Sequence, residues 1–334
     1  MSDFLQQPLS WINGSVFVLS AVVLMGIVLG FVTYGIYFER KVIGWIQLRI
    51  GPNRVGPLGL LQTVADVLKL LLKEDTIPKL ADRPLYLLAP LIAFVPSFAV
   101  LAVIPFTETL HFADLGIGLL YYIAIAGITT LGVITGGWAS NNKYSLMGSM
   151  RSAAQMISYE IPLIMSLVGV ILWTGSLNLI DIVNKQAEMG VWFFIPQFIG
   201  FVIFIIASLA ELNRTPFDLS EAESELVAGY MTEYSGFRYA FFMLAEYVYV
   251  FGMASLTTIV FFGGWLPPFE FLGFIPGIVW FILKFSAVVF FLFWLRATMP
   301  RLRADQLMQF GWKVLLPLAL LNIFLTALMK EFLR

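Results

Sequence analysis

Three ionisable residues, Glu160, Glu246 and Lys284, stand in stretches of the chain that are otherwise apolar. A charge inside a hydrocarbon layer costs roughly 2.5–3.5 kcal/mol on insertion scales, so each needs a partner, a water-filled cavity or a task. Carboxylates so placed can take up protons and pass them on. Glu39 and Glu211 close apolar stretches, Glu39 with Arg40 and Lys41 beside it. Beyond Glu211 the chain reads Glu211-Leu-Asn-Arg-Thr-Pro-Phe-Asp-Leu-Ser-Glu-Ala-Glu-Ser-Glu-Leu. Thr215 before Pro216, or Ser220 with Glu223 three residues on, suits a helix start. On that helix Glu221 and Glu225 share one face, while Glu223 points elsewhere. Close carboxylates share protons and titrate as a group, which suits a relay. The same acids suit a docking surface for a basic partner, or a solvated loop, and composition leaves all three open. For Lys284 the simplest reading is an ion pair with Glu246 or Glu160.

Other chemistry is excluded by composition. With no cysteine, the chain offers no disulfide, no Cys-ligated zinc, no iron–sulfur ligation and no thiol catalysis. The single histidine, His111, rules out a bis-His haem or a multi-His metal site. It falls in a short loop and reads as a solvated surface residue. A formal net charge of −1 supplies no basic face for nucleic acid, and no nucleic-acid partner is expected.

The elements that position these residues must lie in a membrane. Of 334 residues 60% are apolar and 12% charged, against about 25% charged in an ordinary soluble domain. A hydrocarbon core about 30 Å thick takes roughly 20 apolar residues per helix. Eight segments qualify: 15–38, 85–106, 117–138, 156–174, 193–211, 238–262, 276–296 and 313–331. The fold expected is all-α, one polytopic helix bundle over residues 1–334, without internal repeat or linker. Pro90, Pro96, Pro105 and Pro162 interrupt the second and fourth spans without ruling them out. Pro162 is expected to break its helix just beyond Glu160. Met1 to Gly14 lacks the basic stretch of a cleaved signal peptide, so the first span is expected to remain.

Sixteen of the twenty Lys and Arg residues fall in the loops after spans one, three, five and seven. That bias predicts cytoplasmic odd-numbered loops and both termini outside. Trp11, Trp138, Trp173, Trp192 and Trp265 fall near span ends, as interfacial anchors do. Residues 58–75 are helical in period yet cannot span. Leu61, Val64, Ala65, Leu68, Leu71 and Leu72 form one stripe, and Gln62, Asp66, Lys69 and Lys73 another. Such a helix lies along the cytoplasmic interface or between the bundle and a partner. The Gly/Pro-rich stretch Arg49-Ile-Gly-Pro-Asn-Arg-Val-Gly-Pro before it must be an ordered turn.

Three stretches carry a resemblance: Glu39-Arg-Lys-Val-Ile-Gly with Gln47-Leu-Arg-Ile-Gly-Pro-Asn, Ser140-Asn-Asn-Lys-Tyr-Ser through Ser158-Tyr-Glu-Ile-Pro, and Glu211-Leu-Asn-Arg-Thr-Pro-Phe-Asp-Leu through Glu233-Tyr-Ser-Gly. Over residues 30–320 the chain resembles the family of the H subunit of the proton-pumping NADH–quinone oxidoreductase, respiratory complex I. The resemblance implies a multi-pass protein in the bacterial inner membrane. It would join soluble quinone-site subunits to antiporter-like membrane subunits and form much of a quinone chamber. That chamber would open to lipid between span one, the amphipathic helix and span six, lined by Arg40, Asp66 and Lys69. Glu211, Glu221, Glu223 and Glu225 would form an acidic link from it, continued by Glu160 and Glu246. Arg214, Asp218 and Arg238 would hold the loop in shape. Ubiquinone or menaquinone would be the substrate, with NADH, FMN and iron–sulfur clusters on other subunits.

One departure stands out. Many family members carry a further acid in span three, and here Gly127 falls about where it would be. Rival readings are the homologous anchor of a membrane-bound hydrogenase or ferredoxin-linked dehydrogenase, and an independent ion transporter. The Arg40, Asp66 and Lys69 set favours a quinone enzyme, and no two-fold repeat of the transporter kind is present.

Overall fold

The structure, a computed structural model, describes residues 11–218 and 226–332. It is all-helical, with no strand among the described residues. In chain order the helices are α1 (Trp11–Ile46), α2 (Gln62–Leu72), α3 (Arg83–Ala99), α4 (Gly118–Ala139), α5 (Lys143–Thr174) and α6 (Leu179–Met189). Then follow α7 (Phe198–Glu211), α8 (Gly236–Phe262), α9 (Gly277–Thr298), α10 (Ala304–Phe310) and α11 (Leu316–Phe332). A π turn, Gly311–Leu315, fuses α10 to α11.

Seven described helices are long and apolar enough to cross a membrane, and they cover seven of the eight expected spans. The exception is the fifth. Only Phe198–Glu211 is helical there, 14 residues or about 21 Å at 1.5 Å per residue. Pro196 offers no N–H, and the chain before it turns instead of coiling. The turn's amides find other partners: Phe193 N–H donates to Gln186 Oε1 (3.0 Å) and Phe194 N–H to the Phe261 carbonyl (3.0 Å).

Pro162 does not break α5, which runs unbroken from Lys143 to Thr174. A proline costs one backbone hydrogen bond and some strain. A full break would leave several backbone groups unpaired in hydrocarbon, which is worse. The second span likewise keeps Pro90 and Pro96 inside α3 and ends in a 3₁₀ turn, Val100–Val103, ahead of Pro105.

Helix α8 is the most enclosed of the long helices and α1 the least. Around α8 pack α1, α3, α6, α7 and α9. A second, smaller core seats the end of the acidic loop. Tyr230, Met231 and Tyr234 are buried there against Tyr86, Ala89 and Ala93 of α3, with Val133 and Phe242. Tyr86 and Tyr234 stack at 4.3 Å, and the Tyr86 hydroxyl donates to the Glu233 carbonyl (2.8 Å). The approach is tight: a Cβ on Gly148 of α5 would lie 2.6 Å from Gly229 Cα.

Two further expectations change. Trp173 is buried, not an interfacial anchor, whereas Trp138 is 64% exposed. His111 is buried as well, with neither ring nitrogen hydrogen-bonded among the described residues. Its loop folds back on the bundle through Phe106 N–H to the Leu110 carbonyl and Ala113 N–H to the Ala102 carbonyl.

Candidate functional site

Four charges meet where α1, α8 and α9 enclose the segment after α7. Glu39, on α1, is 2% exposed, and so is Arg214. Arg214 Nη1 donates to Glu39 Oε2 at 2.8 Å, and the Tyr247 hydroxyl of α8 donates to the same oxygen at 2.9 Å. Arg296, in the last turn of α9, donates to Glu39 Oε1. Arg214 Nε lies 3.0 Å from Glu246 Oε1, and the guanidinium sits 4.4 Å from the Tyr247 ring centroid. Two arginines thus face two glutamates, and the group is neutral as a whole. That neutrality is what makes burial tolerable, since a lone buried ion costs several kcal/mol while a paired one is largely compensated. Burial disfavours the Arg214 charge, but Glu39 and Glu246 outweigh it and hold its pKa well above the ordinary value.

Glu211 ends α7 nearby. The position is set by α5: Gln155 Nε2 donates to the Ala210 carbonyl (2.7 Å) and to Asn213 Oδ1 (3.1 Å). Glu211 Oε2 is enclosed and has no hydrogen-bond partner among the described residues. It faces a cavity of about 50 Å³ whose wall also includes Thr129, Asn213, Glu246 and Tyr249. That volume holds a few waters, at roughly 10–15 Å³ of such space each. One carboxylate of the cavity, Glu246, is therefore also a member of the four-charge group.

Glu160 projects from α5 towards α4. A Cβ on Gly127 would lie 3.0 Å from Glu160 Oε1, so the glycine leaves the space that this carboxylate occupies. Tyr249 hydroxyl, on the cavity wall, donates to the Ala126 carbonyl next to that glycine (3.0 Å). The run from Glu160 to Glu211 to Glu246 thus spans α5, α7 and α8.

Of the acidic loop, Glu221, Glu223 and Glu225 lie outside the described residues. Asp218 pairs with Arg301 (2.9 Å) rather than with a base of its own loop. Its Oδ1 has no partner among the described residues, and burial outweighs Arg301 to push its carboxyl above the usual range. Arg238 pairs with Asp75 (3.0 Å), after α2, and lies 5.7 Å from the Tyr86 ring centroid. Hence Arg214, Asp218 and Arg238 fasten three different parts of the bundle.

On the outer face of α1, Arg40 Nη1 bonds Asp66 Oδ2 of α2 at 2.6 Å, and Gln62 supports Asp66 at 3.2 Å. Lys69 is exposed on the same helix. The apolar stripe of α2 faces outward: Leu61, Leu68 and Leu71 are each at least half exposed, and Thr63 is buried instead. A mostly apolar cavity of about 1060 Å³ runs along α1 and α9, with Tyr37, Phe38 and Phe251 in its wall. Tyr37 hydroxyl donates to the Leu58 carbonyl (2.8 Å), which joins that wall to the turn before α2.

Lys284 pairs with neither Glu246 nor Glu160. Its Nζ donates to the carbonyls of Phe262 (2.6 Å), Gly264 (3.1 Å) and Leu266 (2.6 Å). The Phe262 carbonyl is an orphan at the C-terminal end of α8 and the other two belong to the turn that follows, so the cation sits where the helix dipole favours it. Sequence reasoning misses the meeting of Glu39 with Arg296 and Tyr247. Arg296 reads as one more positive-inside residue, and nothing in its neighbours marks it as a partner for a glutamate on the first helix.

The sequence profile of the NADH dehydrogenase family matches residues 19–327 of the chain. A protein of Brevibacillus brevis, named as the H subunit of an NADH-quinone oxidoreductase, is 70% identical over 332 residues, covering 99% of this chain and 98% of its own length. Proteins of the same name from Bacillus thuringiensis and Bacillus cereus are also 70% identical, each covering 99% of both chains.

Proposed function

Since the chain belongs to the NADH dehydrogenase family, we propose that it is the membrane component through which an NADH–quinone oxidoreductase couples quinone reduction to proton translocation. The observation that carries this reading is the cavity shared by Glu211 and Glu246. Through Glu246 it meets Arg214, and through Arg214 it meets Glu39 on the helix that also bears Arg40.

Quinone enters from lipid along α1. The apolar cavity with Tyr37 and Phe251 in its wall supports that route. Arg40, Asp66 and Lys69 guide the headgroup towards the neighbouring soluble subunits, which hold NADH, FMN and the iron–sulfur clusters. Ubiquinone or menaquinone takes up two electrons and two protons there. A charge change at the chamber alters the balance of the Glu39, Arg214, Glu246 and Arg296 group, and Glu211 and Glu160 respond by exchanging protons through water. At 5 Å two unit charges interact by about 3 kcal/mol at an effective dielectric near 20, a shift of about two units between neighbours. The antiporter-like membrane subunits receive that change. Both termini lie on the outer side of the bacterial inner membrane, in keeping with the distribution of Lys and Arg.

The test is quinone reductase activity and proton pumping of the assembled complex carrying Glu211→Gln or Glu225→Gln, with assembly checked on a native gel. Loss of both activities in an intact complex is expected. Turnover and pumping at wild-type levels would overturn the reading and leave the loop as a docking surface.

A further inference from the structure

Glu211 and Arg214 stand three residues apart where α7 ends. Residues at that spacing are neighbours on one helix face, close enough for an acid and a base to pair. Here they do not pair. The ion pairs of Arg214 go to Glu39 and Glu246, while Glu211 Oε2 has no hydrogen-bond partner among the described residues.

The turn between them keeps the two apart. Asn213 has a φ of +50°, in the left-handed region. Its N–H donates to the Ala210 carbonyl (3.2 Å), and the Arg214 N–H donates to the Leu209 carbonyl (3.2 Å). That pair of bonds closes a helix through one left-handed residue, usually a glycine. An asparagine adopts the same backbone at a steric cost that glycine avoids. Two side chains of α5 hold it there. Gln155 Nε2 donates to Asn213 Oδ1 at 3.1 Å, and Ser152 Oγ donates to the same oxygen at 3.2 Å. Gln155 also reaches the Ala210 carbonyl (2.7 Å). Gln155 is 2% exposed and Ser152 fully buried, so the grip is made inside the bundle.

The fold alone does not call for this amide. Without Gln155 the Ala210 carbonyl would keep the Asn213 N–H, and Asn213 Oδ1 would keep Ser152. Gln155 Oε1 is enclosed and has no partner among the described residues, and an enclosed polar atom without a partner costs free energy. A methionine of similar size would leave no group newly unpaired and would remove that atom.

We propose that Gln155 and Ser152 are positioning residues. By holding Asn213 in its left-handed turn, they keep Arg214 directed at Glu39 and leave Glu211 at its cavity without a countercharge. An acid beside an arginine is held in its charged form and cannot carry a proton, whereas an acid among waters can. The inference rests on the reading of Glu211 as a proton carrier and adds what keeps it free to be one.

The test is proton pumping by the assembled complex, with each variant checked on a native gel and Glu211→Gln run beside them. Gln155→Met should assemble normally and pump several-fold more slowly, with the KM for quinone unchanged. Glycine takes up the left-handed turn without a grip, so adding Asn213→Gly to Gln155→Met should restore most of that loss. Asn213→Ala, which opposes the turn, should pump several-fold more slowly than Asn213→Gly. If Gln155→Met fails to assemble, Ser152→Ala, which removes one hydroxyl, takes its place in the same comparison. Wild-type pumping by Gln155→Met, a loss that Asn213→Gly does not relieve, or equal rates for Asn213→Ala and Asn213→Gly would each overturn the positioning role. Wild-type pumping by Glu211→Gln would overturn the proton-carrier reading, and this inference with it.

Discussion

The Glu39 carboxylate and the Arg214 guanidinium, 175 residues apart in the chain, meet at 2.8 Å inside the bundle. Glu39→Gln leaves Arg214 and Arg296 facing one remaining acid, Glu246. Breaking a buried pair by removing one partner costs about 3–5 kcal/mol. We expect a clear fall in thermal stability and in the yield of assembled complex, read by a melting curve and a native gel. Arg214→Lys should not rescue the group, because a point ammonium cannot reach Glu39 and Glu246 together as the fork does. Wild-type melting of either variant would show the cluster to be energetically neutral.

Glu211 and Glu246 share a cavity yet should respond differently to the same change. Glu211 Oε2 has no partner among the described residues, so Glu211→Gln removes no bond seen to hold the fold. Assembly should remain at the wild-type level while pumping falls at least several-fold. Glu246→Gln also takes an acid from Arg214 and should lower the melting temperature as well as the rate. Melting curves and pumping, measured side by side, separate the two.

Gly127 leaves room for Glu160. Alanine there improves helix propensity by about 1 kcal/mol, but its Cβ would stand 3.0 Å from Glu160 Oε1. The complex should assemble normally and pump more slowly, because only the carboxylate has to shift. Equal pumping by Gly127→Ala and wild type would exclude a part for the position of Glu160.

Gly148 touches the seat of the acidic loop. A Cβ at 2.6 Å from Gly229 Cα meets backbone, which cannot rotate aside. Overpacking of this kind typically costs about 1–3 kcal/mol. Gly148→Ala should displace the stretch around Gly229 and raise its amide hydrogen exchange, measured against α9, which has no residue in that small core.

The Arg40–Asp66 bridge is 46% and 36% exposed on its two side chains. Exposed pairs contribute about 0–1 kcal/mol. Asp66→Asn should therefore leave melting unchanged, while the KM for a soluble quinone rises several-fold if the pair guides the headgroup. An unchanged KM would leave the bridge with a fastening role alone.

Hydropathy makes most of this architecture legible, because a chain that must satisfy its backbone in hydrocarbon has few choices other than helices. It fails at the fifth span. There Phe193, Phe194 and Ile195 score as membrane residues, yet the Phe193 and Phe194 amides bond to Gln186 and α8 rather than along a helix. The site is half legible. Glu160, Glu211 and Glu246 announce themselves as acids among apolar residues, and the structure brings Glu211 and Glu246 to one cavity. Glu39 is hidden by its basic neighbours, and its real partners come from α8, α9 and the loop after α7. Lys284 invites pairing with a glutamate when charge alone is weighed. Gly263, in a left-handed conformation after α8, is the available sign that a helix ends there and leaves carbonyls to be met.

The long chain separation of the Glu39 contacts bears on how the protein is made. At about 5–20 residues per second, the 175 residues to Arg214 take roughly 9–35 s to synthesise. The 257 residues to Arg296 take roughly 13–50 s. Throughout that interval α1 is already in the bilayer with an acid that has not met its partners. Arg40 and Lys41 beside Glu39 keep that end of the helix at the water boundary while it waits. The surroundings of Glu39 are therefore complete only once α9 has been made, and a chain that stops before residue 296 lacks one of the two arginines that meet this acid.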